Sequence, residues 1–267
     1  MTAVLADESG DRQPGDHPDD PQDPAVRIEH VSKRYTADGP IVLEDLSLDV
    51  KPGEFVSIVG ASGCGKSTLL NLLAGLDKPT SGSIFTSDRP TLIFQEPALM
   101  PWLTAGRNVE LALYLRGGFS RAERRARARE LLAMVNLERS FDQRPHELSG
   151  GMRQRVAIAR ALAQGRSIML MDEPFAALDA ITRDLLHDEL TLIWEETGLT
   201  VLFVTHNVRE AVRLGQRVLL MSSRPGRFIR QWQVQIAGTR RIDSPAVADL
   251  ASQITDDLRE EIRRHAK

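Results

Sequence analysis

The chain has 267 residues, of which 42% are hydrophobic, and its formal net charge is −3 at pH 7. This length and composition can supply the core of one large or two small domains. The single cysteine excludes an internal disulfide framework or a cysteine-built zinc site, which agrees with a reducing cytoplasm. No apolar run approaches the roughly 18 residues of a membrane span, and no secretory leader pattern opens the chain. We therefore expect a globular protein that is neither secreted nor membrane-spanning. Without a clustered basic excess, we expect no nucleic-acid partner.

Residues 1–24 are predicted to form a disordered acidic tail. This segment contains seven acidic residues, one arginine and four prolines, a composition typical of disordered chains. A solvated tail without a required role is the main interpretation, and a docking segment is the alternative. Folded sequence begins near Ala25, where the alternation around Val26 and Ile28 predicts an antiparallel strand. Leu46, Leu48 and Val50 alternate likewise.

Residues 60–67 read Gly-Ala-Ser-Gly-Cys-Gly-Lys-Ser, which predicts a nucleoside triphosphate site. A short apolar run precedes this phosphate loop, and a helical pattern follows it. Lys66 can reach the β- and γ-phosphates, and the Ser67 hydroxyl can ligate Mg²⁺. Glycines let successive backbone N–H groups point into one concavity. The predicted phosphate-binding residues are Gly60, Ala61, Ser62, Gly63, Cys64, Gly65, Lys66, Ser67 and Thr68.

Cys64 lies in the phosphate loop at a helix N-terminus, where the helix dipole and Lys66 favour a thiolate. We expect this thiol to be alkylated readily without nucleotide and to be shielded by bound MgATP. The alternative is an inert thiol at a position that contributes only its backbone amide.

Residues 168–173 read as an apolar strand that ends in two acids. Asp172 can hold Mg²⁺ through its water shell, and Glu173 can orient and deprotonate an attacking water. Strand ends often carry acids simply because they emerge into solvent. Together with the phosphate loop, however, the pair predicts a hydrolytic site.

Upstream of the acidic strand, residues 148–152 read Leu-Ser-Gly-Gly-Met and open a helical run to Ala163. Ser149, Gly150 and Gly151 offer a hydroxyl and backbone amides at a helix N-terminus, which is a ready anion site. A serine N-cap with loop glycines is the simpler alternative. With this signature segment in place, the sequence resembles the ATPase subunits of ATP-binding cassette (ABC) transporters over nearly its whole folded part. The resemblance implies that the segment faces the γ-phosphate of the other protomer.

The resemblance also implies roles for four further residues. Gln95 matches the glutamine that senses Mg²⁺ and couples to the membrane subunit, and His206 matches the switch histidine that donates to the γ-phosphate. Tyr35 matches the aromatic residue that stacks on adenine. Asp179 matches the loop that communicates across the dimer. Taken alone, His206 reads as a capping residue and Tyr35 as an ordinary strand-end tyrosine.

The fold implied is α/β, a P-loop NTPase core of the ABC type with an antiparallel β-subdomain and an inserted α-helical subdomain. We expect the ATPase domain at 25–225, the helical subdomain at about 96–164, and a C-terminal strand and helix extension at 226–267. In the extension, the alternation of Trp232, Val234 and Ile236 predicts the strand. A final helix is predicted to begin at Pro245 and to pack on the core through one apolar face, which carries Val247, Leu250, Ile254, Leu258 and Ile262. The hairpin at 82–91 has room for only a trimmed β-subdomain. Ser120 and Glu123 form a capping box ahead of an arginine-rich helix. Its arginines predict a solvated face, with a nucleic-acid patch as the less favoured alternative.

Residues 95–102 and the turn at 224–227 resemble the importer branch for nitrate, sulfonate and taurine. The resemblance implies an ATP- and Mg²⁺-dependent homodimer, peripheral on the cytoplasmic face of the membrane. It would drive a separate integral membrane permease, with a periplasmic or lipid-anchored solute-binding protein as an indirect partner. Alternatives are an ABC exporter ATPase, a chromosome-maintenance or repair ATPase and a simple phosphate-loop kinase. The repair class usually needs long coiled coils or zinc cysteines, which this sequence lacks. The signature segment and His206 disfavour the kinase.

Overall fold

The computed structural model describes residues 23–236 and 240–265, so the predicted acidic tail lies outside the described residues except for its last two. Within these ranges nine strands and seven α-helices form an α/β fold. The strands are β1 (Val26–Arg34), β2 (Ile41–Val50), β3 (Phe55–Gly60), β4 (Ser81–Thr86), β5 (Thr91–Ile93), β6 (Ile168–Asp172), β7 (Thr200–Thr205), β8 (Arg217–Met221) and β9 (Phe228–Gln233). The helices are α1 (Lys66–Leu73), α2 (Ala105–Arg116), α3 (Arg121–Met134), α4 (Gly150–Ala163), α5 (Ala180–Thr197), α6 (Val208–Leu214) and α7 (Pro245–His265).

A three-stranded antiparallel sheet has the order β2-β1-β4. Val26 pairs with Val50 and Ile28 with Leu48, and all four side chains are buried. The alternation in the sequence therefore predicted both strands correctly, because one face of the sheet packs on the core. The six-residue β4 pairs with β1, whereas the three-residue β5 pairs with β6 in the large sheet. Residues 82–91 therefore do not form the predicted hairpin, and the smaller sheet has three strands.

The six-stranded sheet has the order β5-β6-β7-β3-β8-β9, parallel except for the edge strand β9. β3 and β7 are buried at every position, because helices or the smaller sheet cover both faces. Val59 pairs with Thr205, and Gly60 with Met221. The carboxyl ends of β3, β7 and β8 therefore lie at one edge of the sheet, and that of β6 joins them beside β7. Ligands bind at this edge in open α/β sheets.

Helices α2, α3 and α4 lie between β5 and β6 in the sequence, and they pack against one another. Gly106 lies so close to the Phe141 ring that a Cβ would approach within 2.5 Å, so only glycine fits. The predicted capping box is present, with Ser120 N donating to Glu123 Oε2 at 2.7 Å. The arginines of α3 are mostly exposed, as expected. Two of them also stack on Phe141, with guanidinium carbons 4.9 Å (Arg125) and 4.4 Å (Arg129) from the ring centroid.

The C-terminal strand differs from its prediction. Alternation at Trp232, Val234 and Ile236 placed the strand there, whereas β9 begins at Phe228 and ends at Gln233. An edge strand with exposed polar positions shows no clear periodicity in its sequence, which explains the shift.

Helix α7 was predicted correctly to begin at Pro245 and pack on the core. Val247, Ala251 and Ile254 are buried in a cluster with residues of α6 and β8. Ile262, also expected on this face, is 43% exposed. Over the described residues, no helix combines the length and the apolar character that crossing a membrane requires.

Candidate nucleotide-binding site

An open cavity of about 870 Å³ lies at the carboxyl edge of the large sheet. It collects residues from the phosphate loop, the strand ends and the smaller sheet. The lining residues are Tyr35, Val42, Ser62, Gly63, Gly65, Lys66, Ser67, Thr68, Gln95, Asp172, Glu173, His206 and Arg224.

The phosphate loop links β3 to α1 through two glycines in the left-handed region. Gly63 has φ +75° and Gly65 has φ +109°. A Cβ on Gly65 would lie 2.5 Å from Leu43 Cδ2, so a side chain is excluded there by both conformation and space. The Lys66 side chain is buried, and its Nζ donates to the carbonyl oxygens of Gly60 and Ala61 at 3.0 Å each. The lysine is thereby held across the mouth of the loop, where it can meet phosphate oxygens.

The structure overturns the expectation of a reactive thiol at Cys64. The side chain is 1% exposed. Burial raises the pKa of the thiol above its ordinary value and outweighs the opposing charge of Lys66. Cys64, Gly60 and Ala61 are not among the residues that line the cavity. The carbonyl oxygens of Gly60 and Ala61 instead accept the hydrogen bonds from Lys66 Nζ.

The two acids at the end of β6 have different surroundings. Burial raises the pKa of the Asp172 carboxyl, although a hydrogen bond from Ser67 opposes the shift. Glu173 has φ +45°, an uncommon conformation for a non-glycine residue. Its backbone N donates to Val204 O at 2.9 Å, which ties the strained residue to β7. The β6 end therefore points one carboxylate at Ser67 and the other toward the end of β7.

His206, immediately after β7, completes this cluster. Its Nδ1 lies 2.7 Å from Glu173 Oε2, while Lys66 Nζ lies 4.0 Å from Glu173 Oε1. The carboxylate is thus placed between an imidazole and an ammonium group. Such an arrangement can hold a water beside the phosphates and accept its proton.

Tyr35, Thr68 and Gln95 line the same cavity. The Tyr35 hydroxyl lies 3.2 Å from Thr68 Oγ1, and the ring is 59% exposed. Lys33 Nζ lies 4.9 Å from the centroid of that ring. One aromatic ring with free surface therefore stands next to the phosphate loop, where it can stack on a base.

Besides Gly60, Ala61 and Cys64 of the phosphate loop, four predicted residues lie outside this cavity: Ser149, Gly150, Gly151 and Asp179. Within one protomer they begin helices. The Ser149 side chain accepts from Met152 N at 3.2 Å at the start of α4. Asp179 accepts from Thr182 N at 3.0 Å at the start of α5, and these hydrogen bonds lower the pKa of its carboxyl.

The cavity also contains a cation that the sequence did not single out. Arg224, from the turn between β8 and β9, donates from Nε to Gly63 O at 2.8 Å. The strand order could have located Arg224. β8 is a buried apolar strand, and the turn after it must emerge at the same edge as the phosphate loop if β8 lies parallel to β3.

Comparisons with known proteins agree with this arrangement. A family model described as "ABC transporter" matches residues 43–176. The bicarbonate transport ATP-binding protein CmpD of Synechocystis sp. is 48% identical over 75% of this chain and 75% of its own. The taurine import ATP-binding protein TauB of Rhizobium johnstonii is 43% identical over 89% of this chain and 95% of its own. A dimeric post-hydrolysis structure of the ATP-binding cassette MJ0796 bound to ADP and Pi has a TM-score of 0.71 at 39% identity. It covers 79% of this chain and 100% of the solved one.

Proposed function

Because the chain belongs to the ABC transporter family and is an ATPase of that family, we propose that it energises import of a small oxyanion through a separate membrane permease. The ATP-dependent part of the proposal is supported by one observation, the cavity in which Lys66, Glu173 and His206 meet. ATP bound there would place its phosphates on the loop amides and its base near Tyr35.

The residues present fit a magnesium ion. Ser67 and Asp172 are joined by a hydrogen bond, and Gln95 lines the same cavity. All three offer oxygen atoms, the donors that Mg²⁺ prefers. Bound Mg²⁺ would neutralise charge on the β- and γ-phosphates. We assign Ser67, Gln95 and Asp172 to hold it, directly or through water.

For hydrolysis we assign Glu173 as general base toward the attacking water, because its carboxylate lies 4.0 Å from Lys66 Nζ and 2.7 Å from His206 Nδ1. His206 orients that carboxylate through its Nδ1 and is positioned to donate to the γ-phosphate. Lys66 supplies positive charge beside the developing negative charge.

We further propose that two copies complete each site. Ser149, Gly150, Gly151 and Asp179 stand at helix N-termini away from the cavity of their own chain, where amides and a hydroxyl can meet an anion from another copy. The similar cassette MJ0796 was solved as a dimer with ADP and Pi. In this arrangement residues 25–225 form the ATPase domain, about 96–164 the helical subdomain and 226–267 the extension.

A second cavity, of about 480 Å³, offers a place for the permease. It is lined by both apolar side chains and arginines. Its apolar side chains include Leu76, Leu92, Phe94, Met100, Leu111 and Leu115, and its arginines are Arg89, Arg116, Arg160 and Arg166.

The segment between Gln95 and α2 connects the two cavities and is firmly held. Arg160 donates to Ala98 O at 2.7 Å and to Pro97 O at 2.8 Å. Asn108, fully buried, accepts from Met100 N at 2.8 Å. Trp102, in the same segment, is 68% exposed. We propose that an apolar helix of the permease binds in this groove and that Gln95 relays its position to the nucleotide. This would place the protein on the cytoplasmic face of the membrane.

Import rather than export is supported by the relatives, named for bicarbonate transport and taurine import. A solute-binding protein would then deliver the solute on the far side of the membrane. An exporter subunit is the second candidate, and a non-transport ABC ATPase the third.

The test is uptake of labelled bicarbonate, nitrate, taurine and other sulfonates by a strain that lacks this chain. We expect uptake of one oxyanion to be lost and then restored by the wild-type chain or by Lys51→Ala, which changes an exposed lysine outside the cavity. Lys66→Ala should fail to restore it. A strain that keeps all oxyanion uptake but loses export of a lipid or drug would support the exporter instead.

A further inference from the structure

The turn between β8 and β9 is braced by its own hydrogen bonds. Ser222 N donates to Arg227 O at 2.8 Å, and Arg227 N donates back to Ser222 Oγ at 2.8 Å. The Ser222 hydroxyl donates to Pro225 O at 2.7 Å. Ser222 is 5% exposed, so these bonds form in a largely dry environment and fix the backbone of the turn.

The turn is also wedged between the smaller sheet and the phosphate loop. Gly226 N donates to Val42 O at 2.9 Å, and Glu44 N donates to Gly226 O at 3.0 Å. A Cβ on Gly226 would lie 2.3 Å from Cys64 O, so the turn touches the backbone of the phosphate loop directly. The backbone from which a side chain of this turn extends toward the cavity is therefore held in place.

Helix α7 holds the other side of the turn. Glu261, 5% exposed, accepts a hydrogen bond from Ser223 N at 3.2 Å. Ser223 immediately precedes Arg224. Helix α7 is thereby hydrogen-bonded to the backbone amide of the residue that precedes Arg224.

Arg224 is the residue of this turn that lines the cavity. Its Nε–H holds Gly63 O, and within the described residues it makes no other hydrogen bond or ion pair. Arg227 of the same turn differs, because its guanidinium pairs with Glu44 at 2.6 Å and does not line the cavity. Among the residues that the structure describes, Arg224 therefore has no counter-charge, and its Nε is anchored on the predicted phosphate-binding loop.

We propose that Arg224 is a second cationic ligand for the nucleotide, binding the β-phosphate end of ADP or ATP in its own protomer. The planar guanidinium has two edges, and with Nε engaged by Gly63 the Nη groups can donate to phosphate oxygens. The amides of this loop cradle the α- and β-phosphates. The proposal rests on the proposed function, since it takes the cavity to be the nucleotide site.

The test is the affinity of the purified chain for MgADP, measured by isothermal titration calorimetry. ADP is chosen because it lacks the γ-phosphate that would recruit a second copy. Arg224→Ala should bind about tenfold or more weakly, the usual effect of losing a charge-assisted hydrogen bond. Arg224→Lys should recover part of the affinity, because it keeps the charge but lacks the second edge of the guanidinium, and neutral Arg224→Gln should recover none. Added salt should narrow the gap between wild type and Arg224→Ala because charge interactions are screened.

Arg227→Ala is the matched control and should bind MgADP within about twofold of wild type, since its partner Glu44 lies outside the cavity. An Arg224→Ala variant with wild-type affinity would overturn the proposal. So would Arg224→Gln binding as tightly as wild type, because the residue would then only hold the Gly63 carbonyl. If the wild-type chain bound no MgADP at all, the proposed function itself would fail.

Discussion

At the scale of single residues, Cys64 shows how burial overrides local electrostatics. A helix N-terminus and a nearby lysine both favour a thiolate. The side chain is nevertheless enclosed beneath the phosphate loop at 1% exposure, and burial raises the pKa of the thiol. The position serves packing: even the neighbouring Gly60 has a Cβ position only 2.9 Å from Cys64 Sγ.

We therefore predict that Cys64 reacts slowly with iodoacetamide in the native protein, both with and without MgATP. The rate should be on the order of a hundredfold or more below that of the urea-unfolded chain, because reaction requires local opening. The measurement is labelling followed by intact mass. Rapid labelling of the folded protein that MgATP suppresses would contradict this and restore the expectation from sequence.

Some residues of the nucleotide site can be predicted from the sequence, and others cannot. The phosphate loop and the Asp172–Glu173 pair are contiguous in the chain, and their chemistry is local, so the sequence predicts them. The 2.7 Å contact of Glu173 with His206 depends on the strand order β6-β7, which no local pattern gives. Arg224 was missed for the same reason, because its partner Gly63 is 161 residues away in the chain.

At the scale of elements, a buried polar network fixes the end of β7. Glu210 of α6 is 4% exposed, and its Oε2 accepts from Thr205 Oγ1 at 2.7 Å. Thr205 Oγ1 also accepts from Asn207 N at 3.0 Å. Both neighbours of His206 are thereby held, which positions the imidazole against Glu173. Arg183 and His187 of α5 lie within 3.3 and 3.5 Å of Glu210 Oε1.

This network gives a pH prediction with a definite sign. Burial alone would raise the pKa of Glu210, but the adjacent His187 imidazole, the hydrogen bond from Thr205 and the charge of Arg183 outweigh it and lower the pKa of the carboxyl below its ordinary value. A carboxyl with a lowered folded-state pKa stabilises the protein above its unfolded pKa, and that contribution disappears as the pH falls. Glu210→Gln should therefore lower the free energy of unfolding at pH 7 by roughly 1–3 kcal/mol.

The difference between wild type and Glu210→Gln should shrink as the pH drops below about 4.5. Urea unfolding followed by circular dichroism at several pH values measures it. Glu195→Gln, at an exposed position on α5, is the control and should change little. A Glu210→Gln deficit that stayed constant down to acid pH would contradict the assignment.

Elements with a strong period were the most predictable. The alternation of β1 and β2 and the apolar stripe of α7 reflect one buried face each. The predicted position of β9 lies too far toward the C-terminus, because an edge strand carries polar residues on its exposed surface and shows no clear alternation. Sheet order, and with it the convergence of β3, β6, β7 and β8 at one edge, depends on long-range packing.

At the scale of the whole molecule, one chain provides the phosphate loop, the acids and the histidine, but its signature segment lies outside their cavity, at the start of α4. Ser149, Gly150 and Gly151 do not line the nucleotide cavity. In the proposed assembly a second copy brings them to the γ-phosphate. Hydrolysis would then remove the contact that joins the copies, and the groove beside α2 would transmit the opening to the permease.

The proposal that two copies share the ATP sites is tested most directly by the mass of Glu173→Gln in solution. Size-exclusion chromatography with light scattering measures that mass with and without MgATP. Without a base, turnover should fall by roughly two to four orders of magnitude while ATP still binds. The variant should therefore be a monomer of 29.6 kDa alone and a dimer of twice that mass with MgATP. Adding Gly150→Asp should prevent the dimer, because a Cβ at Gly150 meets no atom closer than 3.5 Å and the added carboxylate would repel the phosphates. Near-normal hydrolysis by Glu173→Gln, or a monomer at saturating MgATP, would contradict the account.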